Sequence, residues 1–446
     1  MSAPDRLLRE LDLLVRREQA EKRLPSIAAA VVRDGERVWE LAVGTADVDA
    51  ARTSTPDTQY RIGSITKTFT AVAIMQLRDA GRLGLEDTLD LHLDGVPHRP
   101  TIRRMLGHLS GLQRETPGDV WVTLEFLSPE ELLRSLGQAE QVLPPGAAFH
   151  YSNLAFALLG QVVERVSGIP YERYVENRII RPLELDRTTF RATPPHAQGY
   201  LVEPYREGVR LERPVETASF IPSGQLWSTV RDLCRWAAFL ADPDEAVLAR
   251  ASSEEMRSVQ SVEDHERWTS GYGLGLNLVR DGERILVGHG GAMPGFIARV
   301  LVSPNDRVGA AVLTNSSTAT ATPLATRMVA KTIELHPVPP EPWLVEDAPP
   351  AEIDSALGRW WLEGSEVVFS WRKGRLEARY PEQEEWQRSA VFEPLGDDRW
   401  RTASGWERGE QLRLERGDDG TVQRMFWATY LLTRDPAVFG SHSPRD

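Results

Sequence analysis

The sequence predicts an α/β sandwich with an all-helical region, followed by a small C-terminal antiparallel β-barrel. Three observations lead to this prediction. Alternation of apolar and polar residues, which is typical of strands, occurs at 27–44 and again at 271–314. The segment between them is rich in helical patterns. Short alternating runs then follow a proline-rich segment at 336–350. Strands that frame a helical middle imply that the two strand-rich segments share one sheet.

The sequence contains clear patterns for the first two strands and for the helix after them. The run 27–44 reads IAAAVVRDGERVWELAVG, and its Asp34-Gly35 pair predicts a hairpin turn. The segment from Ser64 onwards has an apolar face at helical spacing, and Gly81 is a suitable C-cap for that helix.

Three further helices are predicted in the middle of the chain, and strands return after them. The helices are expected at 128–136, 153–168 and 228–242, and each opens on Ser or Asn, which are good helix caps. From Gly271 onwards we expect three or four antiparallel strands. A last helix is expected at about 320–335.

The proline-rich segment divides the chain into domains. Six of the fifteen residues at 336–350 are prolines, which predicts a stiff, extended linker between them. We expect a larger domain at 1–335 and a small antiparallel barrel at 351–446. Seven of the thirteen tryptophans lie in this barrel segment, and we expect their rings to fill a small core. The alternative is that some of them line a surface that faces a ligand.

Composition excludes several classes of protein. The chain of 446 residues has 52 basic and 65 acidic residues, so its net charge of −13 argues against a nucleic-acid partner. The single cysteine, Cys234, excludes an intramolecular disulfide and a cysteine-rich metal site. The sequence also has no H-E-x-x-H zinc motif, and its GYGLG run opens no helix that could face a phosphate, so we expect no metal and no other cofactor.

The N-terminal text indicates neither a signal peptide nor a membrane span. Its leucines recur at helical spacing among charged residues, so the uninterrupted apolar stretch of a signal peptide is missing. No apolar run approaches the roughly 18 residues that a membrane span needs. These patterns predict a cytoplasmic protein without a membrane partner.

Ser64 and Lys67 form an S-x-x-K pair at the start of a predicted helix. Residues three positions apart lie on one face of a helix, and the helix N-terminus places backbone N–H groups beside the serine. A lysine that is desolvated in a pocket can accept the serine proton. The same pair also occurs by chance in capped surface helices, so by itself it does not identify a nucleophile.

Two other short motifs have a chemical and a structural interpretation. In the Y-x-N motif, Tyr151 can relay a proton if a cation holds it near phenolate, and the amide of Asn153 can pair with a substrate carbonyl. The structural alternative is a half-buried tyrosine and a helix-capping asparagine. In the H-x-G motif at a strand end, His289 can supply a hydrogen-bond donor or a positive charge, or it can simply be a satisfied core residue.

The order S-x-x-K, Y-x-N and H-x-G is the order found in the β-lactamase-related serine hydrolases, and the chain resembles this family over roughly residues 5–335. The family includes class C β-lactamases, D-Ala-D-Ala carboxypeptidases, D-aminopeptidases and related esterases. Other stretches that carry the resemblance are TPDTQYRIGSITKTFTAVAIMQL (55–77), RMLGHLSGL (104–112), RPLELDRTTF (181–190), GQLWSTVRDL (224–233), GYGLGL (271–276) and GHGGAMPGF (288–296). The resemblance implies a β-lactamase/transpeptidase-like α/β sandwich, and the C-terminal barrel resembles the lipocalin-like domain of related peptide cyclases and several peptidases.

The resemblance implies a role for each motif residue. Ser64 is the expected nucleophile, and Lys67 is the base or the partner of the base. Tyr151 is expected to pass a proton to the leaving group. Asn153 is expected to orient the substrate amide, and His289 matches the lysine of the family's Lys-Thr-Gly motif.

The oxyanion hole and the substrate contacts follow from the same resemblance. The backbone N–H groups of Ser64 and Ala292 are expected to form the oxyanion hole. Gly290, Gly291 and Trp227 are expected to contact the substrate. Gly290 replaces a hydroxyl residue that helps to hold a substrate carboxylate in the lactamase pattern. We therefore expect weak recognition of β-lactams and of free C-terminal carboxylates, and no efficient β-lactamase activity.

The resemblance leaves several activities open. The main hypothesis is a serine hydrolase or acyltransferase that forms an acyl-enzyme on Ser64 with amides, esters or thioesters, particularly of peptides that contain D-amino acids. Alternatives are a small-ester esterase and a stand-alone penicillin-binding-protein-type thioesterase that releases or macrocyclises a nonribosomal peptide. A non-catalytic penicillin-binding sensor is a further alternative, although all motif residues are intact. The expected partner is a small-molecule or peptide substrate, free or bound to a carrier protein, and the oligomeric state stays open.

Overall fold

The first strand and the last long strand of the N-terminal part of the chain lie side by side. In this computed structural model, β1 (Ser26–Arg33) pairs antiparallel with β13 (Val308–Thr314), and Ala30 lies opposite Ala311. The prediction that the two strand-rich segments share one sheet is therefore confirmed. All eight residues of β1 are buried, because helices pack on both faces of the sheet.

The structure describes residues 3–319, 321–337, 342–345, 348–362, 364–382 and 389–438. The chain divides into two units, Met1–Val338 and Pro339–Asp446, and this division falls inside the segment that the prolines predict to be a linker. Each unit has its own hydrophobic core.

The main sheet of the first unit has nine strands. They are β1, β2 (Glu36–Asp47), β3 (Arg52–Thr53), β8 (Ser261–Val262), β9 (Ser270–Tyr272), β10 (Asn277–Asp281), β11 (Arg284–Met293), β12 (Phe296–Ser303) and β13. Their order across the sheet is β3-β2-β1-β13-β12-β11-β10-β9-β8. Two small ribbons complete the strands of this unit: β4 (Tyr60–Arg61) with β7 (Trp227–Ser228), and β5 (Tyr200–Val202) with β6 (Val209–Leu211).

The helices of the first unit fall into a layer on each face of the sheet and an all-helical region between the strand-rich segments. They are α1 (Ala3–Glu21), α2 (Thr66–Asp79), α3 (Ile102–Leu106), α4 (Val120–Thr123), α5 (Pro129–Ser135), α6 (Asn153–Ser167), α7 (Tyr171–Val175), α8 (Ile221–Gly224), α9 (Val230–Ala241), α10 (Arg250–Met256) and α11 (Ala321–Leu335). Helices α1 and α11 pack on one face, and α9 packs on the other. The predicted α/β sandwich with a helical region is confirmed.

Two of the helix caps that the sequence predicts, Asn153 and Ser228, lie one residue away from the caps in the structure. The N-cap of α6 is Ser152, whose Oγ accepts a hydrogen bond from the backbone N–H of Ala155 at 3.0 Å. The N-cap of α9 is Thr229, because Ser228 is still paired in β7. Asn153 is therefore not a helix cap, and its amide is free for contacts in the site described below.

The second unit contains the predicted antiparallel barrel, which is closed. Its strands are β14 (Gly358–Leu362), β15 (Ser365–Arg372), β16 (Arg375–Arg379), β17 (Ala390–Gly396), β18 (Arg399–Thr402), β19 (Gln411–Arg416), β20 (Val422–Trp427) and β21 (Tyr430–Thr433), and the short helix α12 (Ala351–Asp354) precedes them. Trp360 and Trp427 lie in the barrel core, as expected for core-filling rings, whereas Trp406 is 87% exposed. Trp386 lies outside the described residues.

In the part of the chain that the structure describes, none of the helices combines the length and the apolar character that a membrane crossing requires.

Candidate active site

Ser64 lies in a single 3₁₀ turn, Gly63–Ile65, immediately before α2. The sequence predicted that this serine begins the helix itself, but the helix begins two residues later. Gly63 has a φ of +50°, and a Cβ atom there would lie 2.7 Å from the backbone nitrogen of Ala292. A glycine at this position therefore allows β11 to lie directly against the turn that carries Ser64.

Lys67 lies one helical turn further on and is fully buried. Its Nζ is 3.0 Å from Oγ of Ser64, 2.7 Å from Oδ1 of Asn153 and 2.8 Å from the carbonyl oxygen of Ser223. The amide oxygen and the carbonyl oxygen can only accept hydrogen bonds, so each takes one hydrogen of the amine. In the neutral amine, the remaining position is a lone pair that points at the hydroxyl of Ser64.

The surroundings of Lys67 favour this neutral form. Burial lowers its pKa well below the ordinary value for lysine, and the nearby charge of Arg114 acts in the same direction. The carboxylate of Glu115 opposes this shift. A neutral Lys67 can accept the proton of Ser64, which is what a general base for this nucleophile must do.

Asn153 is held between Lys67 and Glu115. While its Oδ1 accepts from Lys67, its Nδ2 donates to both carboxylate oxygens of Glu115, at 2.9 and 3.0 Å. These contacts fix which end of the amide faces each partner. The resemblance implies that Asn153 orients a substrate amide, and in this structure its amide oxygen also binds Lys67.

Tyr151 is a second side chain in contact with Ser64. Its hydroxyl is hydrogen-bonded to Ser64, and Nζ of Lys67 is 5.0 Å from the centre of its ring. Burial raises the pKa of Tyr151, so the side chain is a phenol at neutral pH. The sequence allowed for a proton relay through a tyrosine that a cation holds near phenolate, but Tyr151 is protonated here and can donate a proton.

The backbone on both sides of Tyr151 is attached to His108. The N–H of Ser152 donates to Nδ1 of His108 at 3.1 Å, and the N–H of His150 donates to the carbonyl oxygen of His108 at 2.8 Å. The ring of His108 also packs on Tyr151, with 4.2 Å between ring centroids. His108 therefore helps to position the phenol beside Ser64.

His289 is buried and neutral, so the structure contradicts the suggestion that it supplies a positive charge. Burial lowers its pKa to about 3. Its Nδ1 is 2.5 Å from the carbonyl oxygen of Gly290, which can only accept, so Nδ1 carries the hydrogen. Its Nε2 then accepts from the hydroxyl of Tyr272 at 2.7 Å. Both ring nitrogens are thus occupied within the protein.

The glycines after His289 allow the strand to lie against the turn that carries Ser64. A Cβ atom at Gly291 would lie 1.8 Å from the carbonyl oxygen of Ile62 and 3.2 Å from the backbone nitrogen of Ser64. No side chain fits there, which explains the need for glycine. This contact places the exposed Ala292 beside the turn of Ser64, as an oxyanion hole made from the two backbone N–H groups requires.

One open cavity of about 1160 Å³ contains most of the predicted site residues. Its lining includes Ser64, Tyr151, Asn153, His289, Gly290, Gly291 and Ala292, while Lys67 lies buried behind Ser64. Trp227 is not part of this cavity. It lines a second cavity of about 380 Å³ together with Arg61 and His196, and the two cavities share Pro294 in their walls.

Besides His108, three residues of the site were missed in the sequence. Glu115 and Arg114 line the main cavity, and the carbonyl of Ser223 binds Lys67. No motif marks Arg114 and Glu115, because they lie in a loop that approaches the site only in the folded chain. A backbone carbonyl leaves no signal in a sequence. Among the described residues, no group of three or more His, Cys, Asp or Glu side chains is arranged to hold a metal ion.

Comparisons with known proteins identify the family. The Beta-lactamase family model matches residues 11–332, and a model described as Domain of unknown function (DUF7586) matches residues 349–434. Protein flp of Staphylococcus aureus (strain COL) is 26% identical over 319 residues. That match covers 69% of this chain and 62% of flp, so the chain spans less than two thirds of this relative.

Solved structures show the same fold. The octameric penicillin-binding protein homologue from Pyrococcus abyssi is 25% identical, with a TM-score of 0.65, and the match covers 95% of this chain and 99% of the homologue. A D-stereospecific amidohydrolase from Streptomyces sp. is 26% identical, with a TM-score of 0.61, over 72% of this chain and 97% of the amidohydrolase. Because the family model spans the whole segment that carries Ser64, Lys67 and the other motif residues, the chain belongs to the beta-lactamase family of serine hydrolases.

Proposed function

We propose that this protein is a serine acyl-transfer enzyme that forms an acyl-enzyme on Ser64 with amide or ester substrates. The observation that carries the proposal is the geometry at Lys67. The side-chain oxygen of Asn153 and the carbonyl oxygen of Ser223 each accept one hydrogen of its amine. The lone pair of the neutral amine then points at Oγ of Ser64, 3.0 Å away. Since burial favours the neutral amine, the pair is prepared for proton transfer before substrate binds.

In the first step, Oγ of Ser64 forms a bond to the substrate carbonyl carbon while its proton passes to Nζ of Lys67. Negative charge develops on the carbonyl oxygen. The backbone N–H groups of Ser64 and Ala292 are the donors that we propose for this oxygen, because β11 lies directly against the serine turn. Preorganised donors of this kind stabilise the tetrahedral intermediate without reorganisation.

In the second step, the bond to the leaving group breaks, and the leaving nitrogen or oxygen needs a proton. Tyr151 is suited to supply it, since its hydroxyl is hydrogen-bonded to Ser64 and is protonated at neutral pH. The proton held by Lys67 then replaces the one that Tyr151 gave away. Attack by water or an amine on the acyl-enzyme reverses these transfers and releases the product.

For the substrate, we propose peptides or amides with a D-amino acid at the acyl position. Support comes from the similarity to a D-stereospecific amidohydrolase, which is 26% identical over most of the first unit. The open cavity is large enough for a peptide segment, and its walls combine aromatic side chains such as Trp121 and Phe220 with the polar groups around Ser64.

The test compares N-acetyl-D-alanine p-nitroanilide with its L enantiomer, for the wild-type chain and for Ser64→Ala. We expect the wild-type protein to cleave the D compound faster and Ser64→Ala to cleave neither. Equal rates on the two enantiomers would refute the proposed preference for D-amino acids, but would not contradict the proposal that Ser64 forms an acyl-enzyme. Undiminished turnover by Ser64→Ala would refute the assignment of Ser64 as the nucleophile. p-Nitrophenyl acetate, measured alongside, shows whether simple esters are the better substrates.

A further inference from the structure

Helix α8 presents two successive carbonyl groups to α2. The carbonyl oxygen of Ser223 accepts a hydrogen bond from Nζ of Lys67 at 2.8 Å. The carbonyl oxygen of Pro222, the residue before it, accepts one from Oγ1 of Thr70 at 2.7 Å. Lys67 and Thr70 are three residues apart on α2, so both side chains lie on the helix face that meets α8. The proposed base and Thr70 therefore bind neighbouring peptide groups of the same short helix.

The hydroxyl of Thr70 is itself bound by Tyr171. The two hydroxyl oxygens are 2.6 Å apart, and both side chains are buried. Because a carbonyl oxygen can only accept, Thr70 donates its hydrogen to Pro222, and the phenol of Tyr171 donates to Thr70. The carbonyl oxygen of Thr66 is also near this hydroxyl, but at 3.4 Å it is a much weaker acceptor. A buried chain of hydrogen bonds therefore runs from α7 through α2 to α8.

Two further contacts hold α8 against α6. Oγ of Ser223 donates to the backbone carbonyl oxygen of Asn153 at 2.7 Å. A Cβ atom at Gly160 would lie 2.0 Å from Cγ of Pro222, so the glycine allows the proline ring to lie directly on α6. Asn153 supplies the other oxygen that binds Lys67. Helices α6 and α8 therefore hold both acceptors of the amine in one arrangement.

We propose that Thr70 is a positioning residue for the general base. Its hydroxyl holds α8 in the place where the carbonyl oxygen of Ser223 takes one hydrogen of the Lys67 amine. The lone pair of the neutral amine then faces Ser64. This inference rests on the proposed acyl-transfer function, and it adds to that function a residue that acts through α8 and not on the reacting atoms.

Loss of the Thr70 hydroxyl affects the base in two ways. The buried carbonyl of Pro222 loses its donor, so α8 shifts, and the carbonyl of Ser223 moves with it. An amine with one acceptor fewer directs its lone pair less well at Ser64, and a misplacement of about 1 Å can slow a reaction by about 10²-fold. The charged form of Lys67 also loses an acceptor, and this loss lowers its pKa.

The titratable groups near Lys67 stay the same when Thr70 is changed. Glu115 and Arg114 supply the nearby charges, which act on the pKa of Lys67 in opposite directions. Burial keeps the other titratable side chains around it uncharged at neutral pH, namely those of Tyr151, His108 and His289. Since threonine, serine and valine are all uncharged, a shift of the pH profile in a Thr70 variant reports a change in hydrogen bonding to Lys67.

The experiment compares Thr70→Val, which keeps the shape of the side chain but removes the hydroxyl, with Thr70→Ser, which keeps the hydroxyl. The rate at which a fluorophosphonate labels Ser64 is measured against pH. We expect Thr70→Val to lower the plateau rate by about 10- to 100-fold and to move the rise of the profile to lower pH. Thr70→Ser should label within about threefold of the wild-type rate, with an unchanged profile, because the hydrogen bond to Pro222 is kept.

The matched control is Thr68→Val, which removes another buried hydroxyl from α2. That hydroxyl donates to the carbonyl oxygen of Ile65 at 2.7 Å and accepts from the indole N–H of Trp236 at 2.9 Å. The control therefore loses as many buried hydrogen bonds as Thr70→Val, but none of them reaches α8. Its plateau rate and its pH profile should match those of the wild-type chain.

Several results would overturn the role of Thr70. They are wild-type labelling by Thr70→Val, equal losses in Thr70→Val and Thr70→Ser, and an equal loss in Thr68→Val. If thermal unfolding shows that Thr70→Val is not folded, Thr70→Ala takes its place, because it differs from Thr70→Ser only in the hydroxyl. Equal rates in that pair would then overturn the role. If the wild-type chain itself were not labelled at Ser64, the proposed function would fail, and the inference with it.

Discussion

The side-chain amide of Asn153 donates to both carboxylate oxygens of Glu115, at 2.9 and 3.0 Å, while its oxygen accepts from Lys67. This connects an acid at the cavity wall to the proposed general base. The charge of Glu115 raises the pKa of Lys67, whereas the charge of Arg114 lowers it. Two adjacent residues therefore act on the same base in opposite directions.

The first prediction concerns the pH dependence of acylation. Only neutral Lys67 can take the serine proton, so the rate rises as pH passes through the pKa of Lys67. Glu115→Gln removes the charge that raises this pKa, so the rise should move to lower pH. Arg114→Gln removes the charge that lowers it, so the rise should move to higher pH. The rate of Ser64 labelling by a fluorophosphonate, measured against pH, checks both. If the pH profiles of the two variants moved in the same direction, or did not move, the account would be contradicted.

The second prediction concerns Tyr151. Tyr151→Phe should lower the turnover of an N-acetyl-D-alanine amide by about 10²- to 10⁴-fold, because the amine must leave with a proton. The effect on the p-nitrophenyl ester should be much smaller, since p-nitrophenolate leaves without one. Steady-state rates on the two substrates check this. An equal loss on both would show that the phenol has a structural role only.

The third prediction concerns the contact between β11 and the serine turn. Gly291→Ala places a methyl group 1.8 Å from the carbonyl oxygen of Ile62, so the strand must move away from Ser64. Labelling of Ser64 should slow, and thermal unfolding should shift to lower temperature. Gly137→Ala is the control, because no atom lies within 4 Å of the added carbon there. Normal labelling in Gly291→Ala would show that the contact is not needed.

Much of the fold could be predicted from the sequence because its signals are local. The Asp34-Gly35 turn, the apolar run of β1 and the Ser128 cap of α5 each depend on neighbouring residues. Ser64 and Lys67 are only three residues apart, so a short motif was enough to place their side chains together, 3.0 Å apart. The pairing of β1 with β13 required an argument from the order of elements, and that argument succeeded.

The rest of the site depends on contacts between distant segments. Glu115 is 38 residues from Asn153 along the chain, and Gly291 approaches Ile62 and Ser64 only because β11 lies against the serine turn. Trp227 was placed at the substrate by resemblance, yet its strand β7 turns it into the second cavity. The charge state of His289 was likewise not predictable, because it follows from burial beside Lys67.

The fourth prediction concerns Lys67 as the proposed general base. Lys67→Met should lower the rate of Ser64 labelling by about 10²- to 10⁴-fold, the usual effect of a positioned base. Lys331→Met, which changes a lysine on the outer face of α11, is the matched control and should label at the wild-type rate. Wild-type labelling in Lys67→Met would assign the proton transfer to another group.

The central claim is that Ser64 is the residue that becomes acylated. Intact-mass analysis after reaction with a fluorophosphonate, followed by peptide mapping, tests it most directly. The account predicts one adduct per chain, located on the peptide that contains Ser64, and no adduct in Ser64→Ala. An adduct on any other residue, or undiminished labelling of Ser64→Ala, would contradict it.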